Sequence, residues 1–405
     1  MFSLGWVMTQ VALQIVQVLV HPLFWLVIVL VALQYYRVAS LRRSFLPGRG
    51  GVVRDTLVST LFGLLGGFIG SLLVVGAGLT VSGSGLWYLL PVAIALMLLS
   101  PRFLCFAYAG GLVSLANLVF GFPQISIPQV MALVAILHFM EALLILLSGH
   151  LGAVPAYVRV SGGRIIGGFT LQKFWPLPVV VLVLVGTLPP GGEGVVMPDW
   201  WPLIPHGLPG SGKDLVFAMI PLMAALGYGD FATARTPASK SRVSAVHLAG
   251  YSLTLFALAF LAGREPLLSW AAALFSPLGH ELVILIGKRL EMDAPPIYTP
   301  RRDGLLVLDV APGSPAWHGG VRSGDLVVEV NGLPVRTRRD LAEALETPGA
   351  YELFYLGRDG RYRRETVIRR PGETLGLLPV PDGDEEAFVE MRSGGLLDVL
   401  RRRRG

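Results

Sequence analysis

Residues 56–100 contain no Asp, Glu, Lys or Arg. A run of that length cannot face water along its course, because soluble domains carry about a quarter of their residues charged. It has room for two bilayer crossings of roughly 20 residues each. The rest of the chain agrees. Of 405 residues, 53% are hydrophobic and 15% charged, and the mean hydropathy is +0.63. The N-terminus lacks a basic region, and the first long apolar stretch runs into aromatic and arginine anchors, so no cleavable signal peptide is expected. The lone cysteine, Cys105, excludes an internal disulfide and any multi-cysteine metal site.

The excess of positive charge does not mark a nucleic-acid binder. The first 290 residues hold 16 Lys and Arg against 8 Asp and Glu, a balance of +8, and the remainder 17 against 19, a balance of −2. The basic excess therefore belongs to the membrane part. Apolar segments at 18–36, 56–80, 85–100, 102–120, 125–148, 174–190, 213–229, 243–262 and 266–287 read as spans. A weak amphipathic helix precedes them, giving a polytopic α-helical bundle of about eight to ten spans over 1–290. Nine spans put fourteen basic residues on one side. They are Arg37, Arg42, Arg43, Arg49, Arg54, Arg102, Arg159, Arg164, Lys173, Arg235, Lys240, Arg242, Lys288 and Arg289. The positive-inside rule makes that side the cytoplasm and carries everything after Lys288 there as well.

After a proline-rich linker at 291–303 the texture changes. Short alternating strands appear at 304–311, 325–330, 351–357 and 361–368, with a turn over 357–360 joining the last two. One amphipathic helix is expected over 337–346, with Leu341, Ala344 and Leu345 on its apolar face. A tail at 381–405 is acidic around 382–386 and ends in LLDVLRRRR, which suits weak contact with anionic lipid.

The run APGSPAWHGGVRSGDLVVEVNGLPV (311–335) resembles the bacterial PDZ domain, a small, mainly β, α/β fold. Gly313, Ser314, Pro315 and Ala316 match its GSPA turn, residues 321–325 its short helix and GD turn, and Asn331 with Gly332 its NG turn. The resemblance covers 304–380 and implies binding of an extended peptide as an added strand beside a helix. Two glycines flanked by leucines are candidates for the loop that receives the peptide's carboxylate. One is Leu375, Gly376, Leu377 and Leu378; the alternative is Gly304, Leu305 and Leu306 after Asp303. The circularly permuted bacterial form takes this loop from its final strand, which favours Gly376, with Leu341 and Leu345 lining the pocket. A side chain at Gly376 is then expected to obstruct peptide. Taken singly, each of these leucines is more often core.

SPLGHELVILIGK (276–288) places His280 beside Glu281 inside an apolar run, as an intramembrane metalloprotease helix would begin. Such a helix needs H-E-x-x-H, but Ile284 stands where the second histidine belongs, and the downstream His318 lies in the PDZ turn. No metal, cofactor or catalytic residue is expected from this spacing. The polar pair is read as interhelical fastening, with Glu281 and Glu141 pairing among His138, His247 and His280. HGLPGSGKD (206–214) matches a phosphate loop, but Asp214 replaces the Mg²⁺-binding hydroxyl, so no nucleotide is expected. SGSG (82–85) is discounted as a serine-protease loop.

HPLFW (21–25), SGGRIIGGFTLQKFWPLP (161–178), LGYGDFATARTPASKSR (226–242) and SPLGHELVILIGKR (276–289), leading into a PDZ domain, together resemble the MinJ-type membrane proteins of Gram-positive bacteria. That resemblance implies a non-catalytic adaptor in the plasma membrane, at cell poles or the division septum. It would bridge a polar coiled-coil protein (DivIVA) to the division-inhibiting ATPase MinD. An intramembrane protease or its regulator, and a transporter or secretion component, are the competing classes.

Overall fold

The computed structural model describes residues 4–46, 51–81, 85–160, 163–187, 197–205, 215–383 and 389–390. The phosphate-loop-like run at 206–214 and most of the 381–405 tail lie outside them. Helix α1 (Leu4–Leu19) buries Val7, Val11, Ile15 and Val18, one stripe at helical spacing. Among the described residues, five helices are long and apolar enough to cross a membrane: α2 (Pro22–Phe45), α3 (Val52–Ala77), α6 (Ile127–Ser148), α7 (Pro237–Ala262) and α8 (Leu268–Met292). The most enclosed is α6. By contrast, α2 and α3 turn Leu26, Leu30, Leu33, Leu57, Leu61 and Leu65 outward, as a lipid-facing surface requires.

Helices α4 (Leu86–Met97) and α5 (Phe106–Phe120) are shorter. At 1.5 Å per residue they rise about 18 and 22 Å, less than the roughly 30 Å hydrocarbon thickness. They form a hairpin entering from the side on which α3 ends and α6 begins. Its tip carries Arg102, which pairs with Glu281 midway along α8. Arg102 is therefore a bundle residue and not part of a cytoplasmic loop, which corrects the topological count.

A larger correction concerns the segments at 174–190 and 213–229. They are strands, not helical spans: β2 (Ile165–Thr187) and β3 (Leu215–Ala232) pair antiparallel from Phe169↔Ala232 to Thr187↔Leu215. Pro176, Pro178 and Pro221 forbid a continuous helix here, and the β-branched run at 179–181 suits a strand. A preceding strand, β1 (Val154–Arg159), pairs with the start of β2 only as far as Thr170. Beyond Thr170 that edge of β2 faces α2 and α3.

Three N–H groups pointing out of this edge, between Phe174 and Leu182, find partners on the neighbouring elements. The Phe174 N–H donates to the Tyr35 hydroxyl at 3.3 Å, the Val180 N–H to Ser71 Oγ at 2.8 Å, and the Leu182 N–H to the Leu79 carbonyl at 3.3 Å. Pro176 and Pro178, between them, have no N–H to satisfy. On α3, Gly63 and Gly67 lie so close to β2 that a Cβ would stand 2.0 and 2.1 Å from the Pro176 and Pro178 carbonyl oxygens. These glycines are required for close approach, in the manner of small-residue stripes between membrane helices.

The bundle's two ends are distinct. One end joins Thr80 to Gln129 and Ala77 to Ile204. At the other, Arg42 donates to the Ala153 carbonyl, and buried Lys240 lies 3.3 Å from Asp230 and 4.0 Å from Glu291. The PDZ-like domain is attached at this second end. It consists of β4 (Leu305–Val310), α9 (Pro315–His318), β5 (Leu326–Val330), β6 (Leu333–Pro334), α10 (Arg338–Ala344), β7 (Gly349–Leu356), β8 (Tyr362–Arg369) and β9 (Leu377–Pro379). The sheet order is β8-β7-β5-β4-β9, with β6 on β5. A last strand, β10 (Val389–Glu390), pairs parallel with β1. Positive φ at Asn331 (51°) and Gly332 (75°) makes the NG turn, and Thr337 with Asp340 forms a capping box on α10.

Gly67→Val should prise β2 from α3 and lower the melting temperature of the detergent-solubilised protein by several degrees, since overpacking costs about 1–3 kcal/mol or more. Gly76→Val, where a Cβ meets nothing within 4 Å, should be tolerated. Equal melting of the two variants would contradict the close approach.

Candidate functional site

The peptide-binding element must be a strand with a free edge beside a helix. Strand β4 is paired on both edges, by β5 and by β9. The alternative loop thus opens a central strand, with Gly304 against Val327 and Leu305 in the domain core, and offers no edge. Among the described residues β9 pairs only with β4, and Leu377 on it shares an apolar cluster with Leu341 and Ala344 of α10.

The exposure of the leucines separates groove from core. Leu341 and Leu375 are 8% and 4% exposed, whereas Ala344, Leu345 and Leu377 are partly buried against them and form the accessible lining. Leu378 points the other way. It belongs to a core shared with Leu306, Leu308 and Val380 of the domain and with Tyr157, Phe169 and Tyr298 beneath it. Leu378 and Leu306 are docking residues, not groove residues, as alternation along a strand requires.

Gly376 has a φ of +79°, and a Cβ there would stand 2.2 Å from Ser314 Cβ. Its carbonyl accepts from the Ala311 N–H at 2.8 Å, and the Leu375 carbonyl accepts from the Ala316 N–H at 3.1 Å. The expectation that a side chain at this position would block peptide without disturbing the domain is therefore corrected. Such a side chain would collide with the GSPA turn and distort the loop first.

The far end of the groove meets the membrane part. The Tyr157 hydroxyl donates to the Pro379 carbonyl at 3.0 Å, and its ring lies under the Arg338 guanidinium at 5.0 Å. The Gly167 N–H donates to the Tyr298 carbonyl at 2.9 Å. Asp309 lies on this docking side of β4. Burial pushes its carboxyl up to about 6, opposed by the Val310 N–H and then by Arg42.

A second polar assembly lies at mid-depth in the bundle. The expected pairing of Glu281 with a histidine gives way to other partners, and His280, twelve residues into the 25-residue α8, reaches it through the shared Tyr108 hydroxyl. The Glu281 carboxylate pairs with Arg102 and accepts from the Tyr108 hydroxyl at 2.8 Å. His280 and His138 instead converge on Cys105, with Sγ to Nε2 distances of 3.1 Å for His138 and 3.8 Å for His280. The three ligand atoms lie within 4.8 Å of one another. Spacing within one helix could not reveal this, because each group comes from a different helix.

A family model for the PDZ domain matches residues 306–351. The chain is a protein of membrane-spanning helices that carries a C-terminal PDZ domain. Beyond that domain it is 29% identical over 392 residues to the cell division topological determinant MinJ of Bacillus subtilis (strain 168), covering 91% of this chain and 94% of that protein. The similarity therefore runs through the helices and the β2–β3 hairpin. Serine protease HTRA3 of Homo sapiens is 46% identical over 44 residues, 11% of this chain and 10% of that protein, a match within the PDZ domain alone.

Because the folded carboxyl of Asp309 sits above its ordinary value near 4, its protonation favours the folded, docked domain. Stability from this group is full below about pH 4, falls as pH rises to about 6, and is flat beyond. Asp309→Asn should flatten that slope and raise the melting temperature at pH 7.5 relative to the native chain. Parallel melting curves from pH 4 to 7.5 would refute the burial argument.

Proposed function

We propose that the protein is a non-catalytic membrane adaptor. It holds partner proteins at the cytoplasmic face through the β9–α10 groove and takes part in the spatial control of cell division. The similarity to MinJ over nine-tenths of both chains is the observation that carries this reading. The basic residues support a cytoplasmic PDZ domain. Arg42, Arg159, Arg235, Lys240, Arg242, Lys288 and Arg289 sit at or near the ends of β1, α2, α7 and α8 on the PDZ side of the bundle, as positive-inside topology asks. Two crossings by β2 and β3 preserve the parity that nine spans would have had.

The groove supports peptide recognition by strand addition. Its accessible apolar lining, Ala344, Leu345 and Leu377, suits a ligand with an apolar terminal side chain. The finer assignment is that the chain bridges a DivIVA-type polar protein to a MinD-type ATPase, at the poles or the septum. The partners would meet at a fixed height above the bilayer because the domain is docked through Tyr157 and Leu378 rather than tethered by a linker alone.

Leu377→Asp places a charge in the accessible lining without touching the docking face. The full chain in nanodiscs carrying this change should bind its DivIVA-type partner at least tenfold more weakly, as measured by interferometry, with an unchanged melting curve. In cells, the same variant should mislocalise the division ring. Native affinity and native ring placement would show that the groove is not the working surface.

A further inference from the structure

We infer that Cys105, His138 and His280 form a zinc site inside the membrane bundle, fastening the start of α5 to α6 and α8. The argument begins with proton counting. The Nδ1 of His138 lies 2.7 Å from the Val134 carbonyl, which can only accept, so Nδ1 carries the proton and Nε2 is a bare lone pair. The Tyr108 hydroxyl donates to Glu281 at 2.8 Å and is then an acceptor for His280 Nδ1 at 3.4 Å, which leaves the His280 Nε2 bare as well. Both lone pairs face one sulfur. A thiol has a single proton and can satisfy only one of them, whereas a cation satisfies both together with the thiolate.

The surroundings are those of a metal site. Metal-binding histidines commonly donate their second ring nitrogen to a carbonyl or a similar partner, which fixes tautomer and ring direction; here the second nitrogen of each ring is so engaged. Cys105 caps the N-terminus of the fifteen-residue α5, its sulfur accepting from the Ala107 N–H at 3.4 Å. That end of a helix favours negative charge. Tetrahedral zinc with bonds of about 2.3 Å to sulfur and 2.0–2.1 Å to nitrogen sets sulfur and nitrogen about 3.5 Å apart, between the two separations seen. Tyr251 packs edge-on against both imidazoles and stacks on Phe275, which closes the site with aromatic rings. Two imidazoles and one thiolate suit zinc rather than magnesium or calcium. Three protein ligands leave the fourth position to a water or an anion, and Glu281, the residue that would act as base in a protease, is bound by Arg102 and Tyr108, so the site fastens helices and does not cut peptide bonds.

The test uses the full chain, purified without a polyhistidine tag into nanodiscs. Elemental mass spectrometry should find about one zinc per chain in the native protein, and chelation should lower its melting temperature. Cobalt(II) added to the chelated protein should give a tetrahedral spectrum with a thiolate-to-cobalt charge-transfer band, absent in Cys105→Ser. The native protein alone decides the matter if that variant misfolds. Background metal content together with a cobalt spectrum lacking the charge-transfer band would overturn the site and leave three hydrogen-bonded side chains.

Discussion

The molecule depends on one constraint, the satisfaction of the open edge of β2 among membrane-spanning helices. Lipid offers no hydrogen bonds, so a strand with an unpaired edge is normally excluded from the bilayer. Here the edge is covered from Phe174 to Leu182. Tyr35, Ser71 and the Leu79 carbonyl accept N–H groups along it, and Pro176 and Pro178 have none to satisfy. The glycines of α3 then let the helix lie directly on the strand's carbonyls. Because this arrangement fixes β2, it also fixes β1 and the docking platform on which the PDZ domain stands.

That platform gives the PDZ domain a defined orientation. Tyr298 and Phe169 pack edge-on, the Gly167 N–H meets the Tyr298 carbonyl, and Tyr157 reaches Pro379. Successive residues of β9 face opposite ways, so Leu377 serves the groove while Leu378 serves the docking surface. The mid-bundle assembly of Arg102, Tyr108, Glu281, His138, His280 and Cys105 plays the corresponding part deeper down, adding polar contacts to the packing of α5 against α6 and α8.

Much of this was legible in the sequence. Alternation and turn residues gave the PDZ domain, and the charge-free run gave one full-length helix, α3, although its second half is the short α4 and not a second crossing. The errors have physical causes. Apolarity over 174–190 and 213–229 reported lipid-like surroundings but not secondary structure; Pro176, Pro178 and Pro221 were the overlooked signal against helices. Arg102 was counted as a loop cation because its partner, Glu281, is far away in sequence. The encounter of Cys105, His138 and His280 joins three helices and leaves no spacing to read. Leu378 was assigned to the groove because strand alternation was not applied to so short a segment.

Hydrogen–deuterium exchange of the full chain in nanodiscs, with and without the proposed DivIVA-type partner, tests the central claim most directly. If the molecule works by accepting a strand at β9, partner binding will slow exchange over 375–380 and along α10 and leave α3 and β2 unchanged. Protection confined to the membrane part, with β9 and α10 exchanging as before, would contradict it.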